Sequence, residues 1–308
     1  MEFAALLLLL GGMAAVAAFI IKYNGIVWGQ PGVIYSGILG EARRIRIFLP
    51  AGYNKAALNK QQYPVIYLFD GDALSAEVIK GLTHLRQQNP DAHCPEMIVV
   101  AVSNTDRASD FTPTISSIGP EGDELDMLKN SGGSENFIGF IEKELIPYIE
   151  SIYPTSPYKT LMGYSLGGLT VINILITRTK MFDAYAAIDP SMWWDNRIVL
   201  NDAAAKFEGG NFTGTSLFLG VANTMPIGMD ITQAKGDTTG STNHIRSLLK
   251  LIDILGSNPG NGLRWQHKYY PDKDHDSVVP PGIYDALHFL FYSQAINARG
   301  SSNLVKNQ

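Results

Sequence analysis

Lys159-Thr160-Leu161-Met162-Gly163-Tyr164-Ser165-Leu166-Gly167-Gly168 decides how this chain folds. Residues Lys159 to Gly163 read as an apolar strand and Leu166 to Thr177 as a helix, with a serine at the join. A strand that turns straight into a helix at Gly-x-Ser-x-Gly is the sequence form of a nucleophile elbow. A serine hydroxyl is a weak nucleophile at neutral pH. Ser165 therefore has to stand on a rigid turn where a base can take its proton and backbone N–H groups can meet an oxyanion. Gly163 and Gly167 lack a Cβ, which lets the helix pack close to the strand.

Outward from the elbow, strand and helix patterns alternate. Arg43 to Phe48 alternates charged and apolar residues as an edge strand does, and Tyr63 to Phe69 and Met97 to Val102 are short apolar runs of the buried parallel kind. Further strands are expected at Ala184 to Ile188, Ser216 to Val221 and Trp265 to Tyr270. Helices are expected at Ala73 to Gln87, Asn243 to Leu255 and Tyr284 to Ala295. Another is expected at Glu135 to Ile152, capped by Ser134 and with Phe137, Ile141, Leu145 and Tyr148 on one face. The alternation predicts an α/β protein of the α/β-hydrolase type, a mostly parallel, doubly wound sheet with helices on both faces. Its active site should lie at the carboxyl ends of the strands.

With 308 residues, 45% of them hydrophobic, the chain can bury one large core, and one catalytic domain is expected over residues 32–297. A formal charge of −5 with only 17% charged residues supplies no basic stripe for a nucleic acid. The single cysteine, Cys94, excludes an internal disulfide framework. Phe3 to Ile21 is an unbroken apolar run, long enough to span about 30 Å of hydrocarbon as a helix. Residues 1–22 therefore read as a cleaved signal or a retained anchor, which predicts an exported or membrane-anchored protein. Residues 298–308 read as a polar tail.

The serine needs a base, and in this fold base and acid follow the nucleophile in the chain. Of the later histidines, His267 lies in a strand, His288 in the last helix, and His244 opens a helix, where capping or a local hydrogen bond accounts for it. His275 sits in the polar loop Pro271-Asp272-Lys273-Asp274-His275-Asp276-Ser277 and is the expected base. The acid is expected after the Ser216 to Val221 strand, but Ala222-Asn223-Thr224 offers no carboxylate there. Asp230 is the nearest candidate, Asp237 and Asp195 are others, and a Ser165–His275 dyad is a further possibility. Leu166 supplies one oxyanion N–H at the start of a helix. The second should come from Asp72 in Asp70-Gly71-Asp72. The Asp272 to Asp276 cluster lacks the spaced oxygen ligands of a calcium loop, so neither a metal nor a cofactor is expected.

Five stretches carry a family resemblance. They are Val65-Ile66-Tyr67-Leu68-Phe69-Asp70-Gly71-Asp72, Asn104-Thr105-Asp106-Arg107 with Asp110-Phe111-Thr112-Pro113-Thr114, Gly163 to Gly168, Asp189-Pro190-Ser191-Met192-Trp193-Trp194, and His275-Asp276-Ser277-Val278. From about Tyr35 to Tyr292 the chain resembles the putative-esterase family of α/β hydrolases, its siderophore-esterase branch in particular. The resemblance implies Ser165 as nucleophile, His275 as base, Leu166 and Asp72 as oxyanion donors, and Arg107 and Trp193 near the substrate. It departs from the family at Asn223, near where relatives often carry a glutamate.

The expected activity is hydrolysis of small aromatic or acyl esters, siderophore or feruloyl among them, through an acyl-enzyme. Transfer of the acyl group to another hydroxyl is an alternative on the same elbow. A non-catalytic surface protein of the same fold is another.

Overall fold

The computed structural model describes residues 29–53, 61–88 and 94–292. The apolar segment at residues 1–22 and the tail at 298–308 lie outside the described residues. Among those described, no helix is long and apolar enough to cross a membrane.

The described residues form eight strands: β1 (Gln30–Ser36), β2 (Glu41–Phe48), β3 (Tyr63–Leu68), β4 (Ile98–Val102), β5 (Thr155–Tyr164), β6 (Ala184–Ile188), β7 (Ser216–Ala222) and β8 (Arg264–Tyr270). They form one sheet in the order β1-β2-β4-β3-β5-β6-β7-β8. The β1–β2 and β2–β4 pairs are antiparallel and every other pair is parallel. The elbow strand β5 is thus central, with β3 and β6 as its neighbours.

The reason is in the side chains. β4 and β6 are buried at every residue, as a parallel strand covered on both faces must be. Alternate residues of β3 feed opposite layers: Val65 and Tyr67 pack with Phe137, Leu169 and Leu200, whereas Ile66 and Leu68 pack with Val78, Leu82 and Ile283. Helices Ser134–Phe140, Leu166–Thr177, Trp194–Gly209 and Asn243–Gly256 cover the first face, and Gly71–Gln88 and Val279–Leu287 the second.

Several local expectations shift. Arg43 to Phe48 is not the edge; β1, opened by Gln30-Pro31-Gly32, lies outside it, and its polar, turn-like start hides the strand. Ser134 is inside its helix rather than at the cap, because Gly133 takes that position and the Ser134 N–H donates to the Thr112 carbonyl. A π turn at Ile141–Leu145 then shifts the helical phase. Ile149 faces the core and Tyr148, 36% exposed, does not.

At the elbow the clearance is minimal: a Cβ on Gly163 would lie 2.5 Å from the Gly167 carbonyl oxygen, a backbone atom that cannot swing away. Gly163→Ala should destabilise the fold by about 1–3 kcal/mol, the usual cost of overpacking. Gly256→Ala, with no atom near its added methyl, should not. Urea titrations of the two variants check this, and equal midpoints would refute the close contact.

Candidate active site

Ser165 follows β5 with φ 57° and ψ −120°, a left-handed conformation that a serine adopts only under constraint. Its N–H donates to the Ile188 carbonyl at the end of β6 (3.0 Å), and its own carbonyl accepts the Ser191 N–H (3.0 Å). The strained residue is thereby tied to the neighbouring strand on both sides. Its Oγ lies 3.0 Å from His275 Nε2 and 3.3 Å from Ser191 Oγ.

His275 arrives from 110 residues further along the chain. Its loop is built by its own acidic residues: the Asp274 carboxylate accepts from the Ser277 N–H (2.8 Å) and hydroxyl (2.6 Å). The Tyr164 ring lies against the imidazole, centroids 4.8 Å apart, and the Tyr164 hydroxyl donates to Asp276 (3.1 Å). Burial, reinforced by Asp276, pushes the Tyr164 phenol far above its ordinary range, which keeps it a donor.

The acid partner differs from every candidate read from the sequence. His275 Nδ1 lies 2.6 Å from Asp189 Oδ2, and Asp189 stands at the end of β6, not after β7. With Nδ1 protonated and donating to Asp189, Nε2 is left to accept the Ser165 proton. Asp230 instead caps helix Ile231–Gly236, its carboxylate accepting the Gln233 N–H in a reciprocal capping box. Asp237 accepts from the Thr242 hydroxyl, and Asp195 lies in a left-handed turn. The dyad alternative yields as well, since a carboxylate does hold the imidazole.

Asp189 is 0% exposed. Burial alone would raise its pKa, but facing His244 and His275, and hydrogen bonded by both, it is held well below the usual carboxylate range. Three donors meet this one group: His275 Nδ1, His244 Nε2 (2.9 Å to the same Oδ2) and the Ala222 N–H (2.8 Å to Oδ1). His244, expected only to serve its own helix, is thus a buried partner of the acid. The rule that sites gather at carboxyl ends of strands, applied to β6 as to β5, would have picked out Asp189; nothing local to His244 points to it.

Asp189, His244 and His275 also bring ligand-type atoms within 4.8 Å of one another. Both imidazoles meet the same carboxylate oxygen through their N–H protons, so their arrangement is that of a hydrogen-bonded relay, and a metal would have to displace both protons.

A cavity of about 250 Å³ opens above the serine, walled by Ser165, Ser191, Trp193, His244 and His275 among others. Trp194 packs behind, fully buried, its Nε1 donating to Thr114 Oγ1 (3.1 Å). Arg107 is not part of that wall. Its guanidinium pairs with Asp70 through two hydrogen bonds (2.8 and 2.9 Å) and donates to the Tyr164 carbonyl (3.2 Å), so it braces the elbow from the side. Leu166 and Asp72 occupy the first turns of helices that follow the adjacent strands β5 and β3, where N–H groups lack intrahelical acceptors.

Comparison with known proteins places this geometry. The Putative esterase family model matches residues 36–212. The chain belongs to that family. This esterase is 27% identical over 249 residues to the siderophore enterobactin esterase of Emericella nidulans, covering 73% of this chain and 81% of the relative. It is also 27% identical to the ferri-bacillibactin esterase BesA of Bacillus subtilis, over 75% of this chain and 79% of that one. The crystal structure of an IroE-like serine hydrolase from Shewanella oneidensis superposes with a TM-score of 0.75 at 34% identity, covering 85% of this chain and 80% of the other. The esterase is therefore a serine hydrolase of carboxylic esters.

The buried carboxylate makes stability depend on pH in one direction. A carboxyl group whose pKa is lowered by folding stabilises the native state above its unfolded pKa of about 4, and the contribution fades as pH falls toward the folded value. Asn tolerates the left-handed backbone at position 189 (φ 44°), so Asp189→Asn keeps the backbone while removing the charge and one of the two acceptor oxygens. The stability gap between wild type and Asp189→Asn should be wide at pH 7 and narrow as pH drops through 4 toward 3, measured by urea unfolding. A gap independent of pH would contradict the ionised state of Asp189.

Proposed function

We propose that this esterase hydrolyses siderophore esters through an acyl-enzyme formed on Ser165, with His275 as general base and acid and Asp189 as the carboxylate that orients it. The observation that carries the reading is the continuous chain from Ser165 Oγ through His275 to Asp189, with contacts of 3.0 and 2.6 Å.

The steps follow from those contacts. Ser165 Oγ attacks the ester carbonyl carbon while its proton passes to His275 Nε2, and the carbonyl π electrons move to oxygen. The N–H groups of Leu166 and Asp72 receive the oxyanion, helped by the positive end of helix Leu166–Thr177. Collapse restores the carbonyl and breaks the bond to the alcohol oxygen, which takes the proton back from Nε2 as it leaves. Water then enters: His275 removes its proton, the hydroxide attacks the acyl carbon, and collapse frees the acid and Ser165. Asp189 stays ionised throughout and balances the imidazolium at each stage.

Two observations support a siderophore as the ester. The named relatives act on enterobactin and ferri-bacillibactin, and Trp193 gives the cavity an aromatic wall against which a planar acyl group can lie.

Ser165→Ala and His275→Ala should each abolish turnover of 4-nitrophenyl butyrate and of enterobactin, and Asp189→Asn should lower kcat about 10³- to 10⁴-fold. Asp230→Asn, altering only a helix cap, should stay within a few-fold of wild type. Steady-state kinetics with mass spectrometry of the products checks the series. Full activity in His275→Ala would overturn the mechanism, and esters cleaved at undiminished rates while enterobactin is left intact would overturn the substrate.

A further inference from the structure

Beside the cavity above Ser165 lies a second one of about 490 Å³, and the two share Pro120, Glu121, Trp193 and Gly240 as their common wall. Arg197 and Arg246 line this annex. Arg197 donates from Nε to Ser247 Oγ (3.0 Å) and from Nη2 to Asn243 Oδ1 (2.8 Å). Arg246 donates from Nε to Thr242 Oγ1 (2.9 Å) and from Nη2 to the Thr239 carbonyl (2.6 Å). Every one of these acceptors is neutral. Glu121 and Asp195 also border the annex, yet among the described residues neither guanidinium forms an ion pair.

The two cations are close enough to affect each other. Burial, and then the charge of Arg246, lower the pKa of Arg197, so the pair is mutually repulsive as it stands. Hydrogen bonds hold each guanidinium through Nε and Nη2, in part to Asn243 and Thr239 of the same lining, and Nη1 of each is without a partner among the described residues. That is how a site for an external anion is built.

The backbone carries the same indication. Asp195, Asn196 and Arg197 are consecutive left-handed residues, with φ of 40°, 53° and 64°, inside what would otherwise be the first turns of helix Trp194–Gly209. Asp and Asn tolerate that conformation, but arginine gains nothing from it. A regular turn would aim residue 197 elsewhere. Strain of this kind persists where surrounding contacts impose it, and it gathers at ligand sites.

We propose that the annex binds an anionic oxygen group of the ester substrate, of the carboxylate type, through Arg197 and Arg246; this rests on the ester-hydrolase reading above. The arginines then select among esters that Ser165 attacks equally well.

Matched ester pairs test it. With the charge on the acyl side, 4-nitrophenyl hemiglutarate is compared with 4-nitrophenyl pentanoate; with the charge on the leaving side, 4-acetoxybenzoate is compared with its methyl ester. The readout is the ratio of kcat/KM, anionic over neutral. In at least one pair the ratio should fall about tenfold in Arg197→Gln and in Arg246→Gln, the scale of one charge-assisted hydrogen bond. In wild type it should also fall as salt rises from about 20 to 500 mM, because the two arginines are only partly buried and their attraction for an anion is still screened. The salt series needs no variant and decides the matter should Arg197→Gln not fold. Ratios indifferent to both substitutions and to salt would overturn the proposal. Calorimetric titration of Ser165→Ala with the hemiglutarate ester keeps the two readings apart. Binding lost in the arginine variants, with no turnover by wild type, would keep this proposal and sink the esterase reading; turnover with an arginine-independent ratio would do the reverse.

Discussion

A carboxylate fully removed from water is the interaction around which this site is assembled. An isolated buried anion costs several kcal/mol, and Asp189 is tolerated because three donors converge on it. Two of those donors are histidines from distant parts of the chain, so satisfying the charge also fixes the relative positions of β6, helix Asn243–Gly256 and the loop after β8. Asp189 holds one end of the His275 ring, and the Ser165 hydroxyl meets the other. His244 completes the shell of the acid and, as part of the cavity wall, separates it from whatever occupies the cavity.

Backbone strain is distributed in the same pattern. Among the described residues the non-glycine positions with positive φ are Asp70, Ser165, Asp189, Asp195, Asn196 and Arg197, and all six lie on segments that leave β3, β5 or β6. Each such residue costs on the order of 1–3 kcal/mol unless its surroundings impose it. Here they do. Asp70 is clamped by Arg107 and Asn104, Ser165 by backbone bonds to Ile188 and Ser191, and Asp189 by its N–H to the Gly220 carbonyl as well as by its three donors. The carboxyl-terminal parts of β3, β5 and β6 behind them are buried on both faces and supply the rigidity that makes the distortions affordable.

How far this was legible from the chain itself depended on how local each signal is. The elbow, the parallel strands and the late histidine announce themselves within ten residues, through apolar runs, glycines and a polar loop before Pro280-Pro281, and their elements form within a residue or two of expectation, except that β5 begins four residues before Lys159. The acid did not. Asp189 is one residue beyond a buried strand, and its role depends on β6 lying next to β5, a fact of topology. Asp230 looked available because it follows β7, yet the same residue type is equally suited to open a helix, and the local hydrogen bond to Gln233 wins. Arg107 was placed near the substrate by resemblance; its two hydrogen bonds to Asp70, which brace the elbow, depend on the folded arrangement of two loops and have no local signal.

Asn223 fits an arrangement in which the acid sits on β6. At the end of β7, its N–H donates to the Lys273 carbonyl (2.7 Å) and its side-chain amide to the Pro271 carbonyl (2.9 Å), while its Oδ1 accepts the Met225 N–H (3.2 Å). The loop that bears His275 is therefore fastened to the sheet by donors. A carboxylate at 223 could accept but not donate, and would face the Pro271 carbonyl with like partial charge. With the orienting anion supplied by Asp189 one strand away, position 223 is free to be an amide, and the two residues divide the labour: Asn223 sets where the loop lies, and Asp189 sets how its imidazole points.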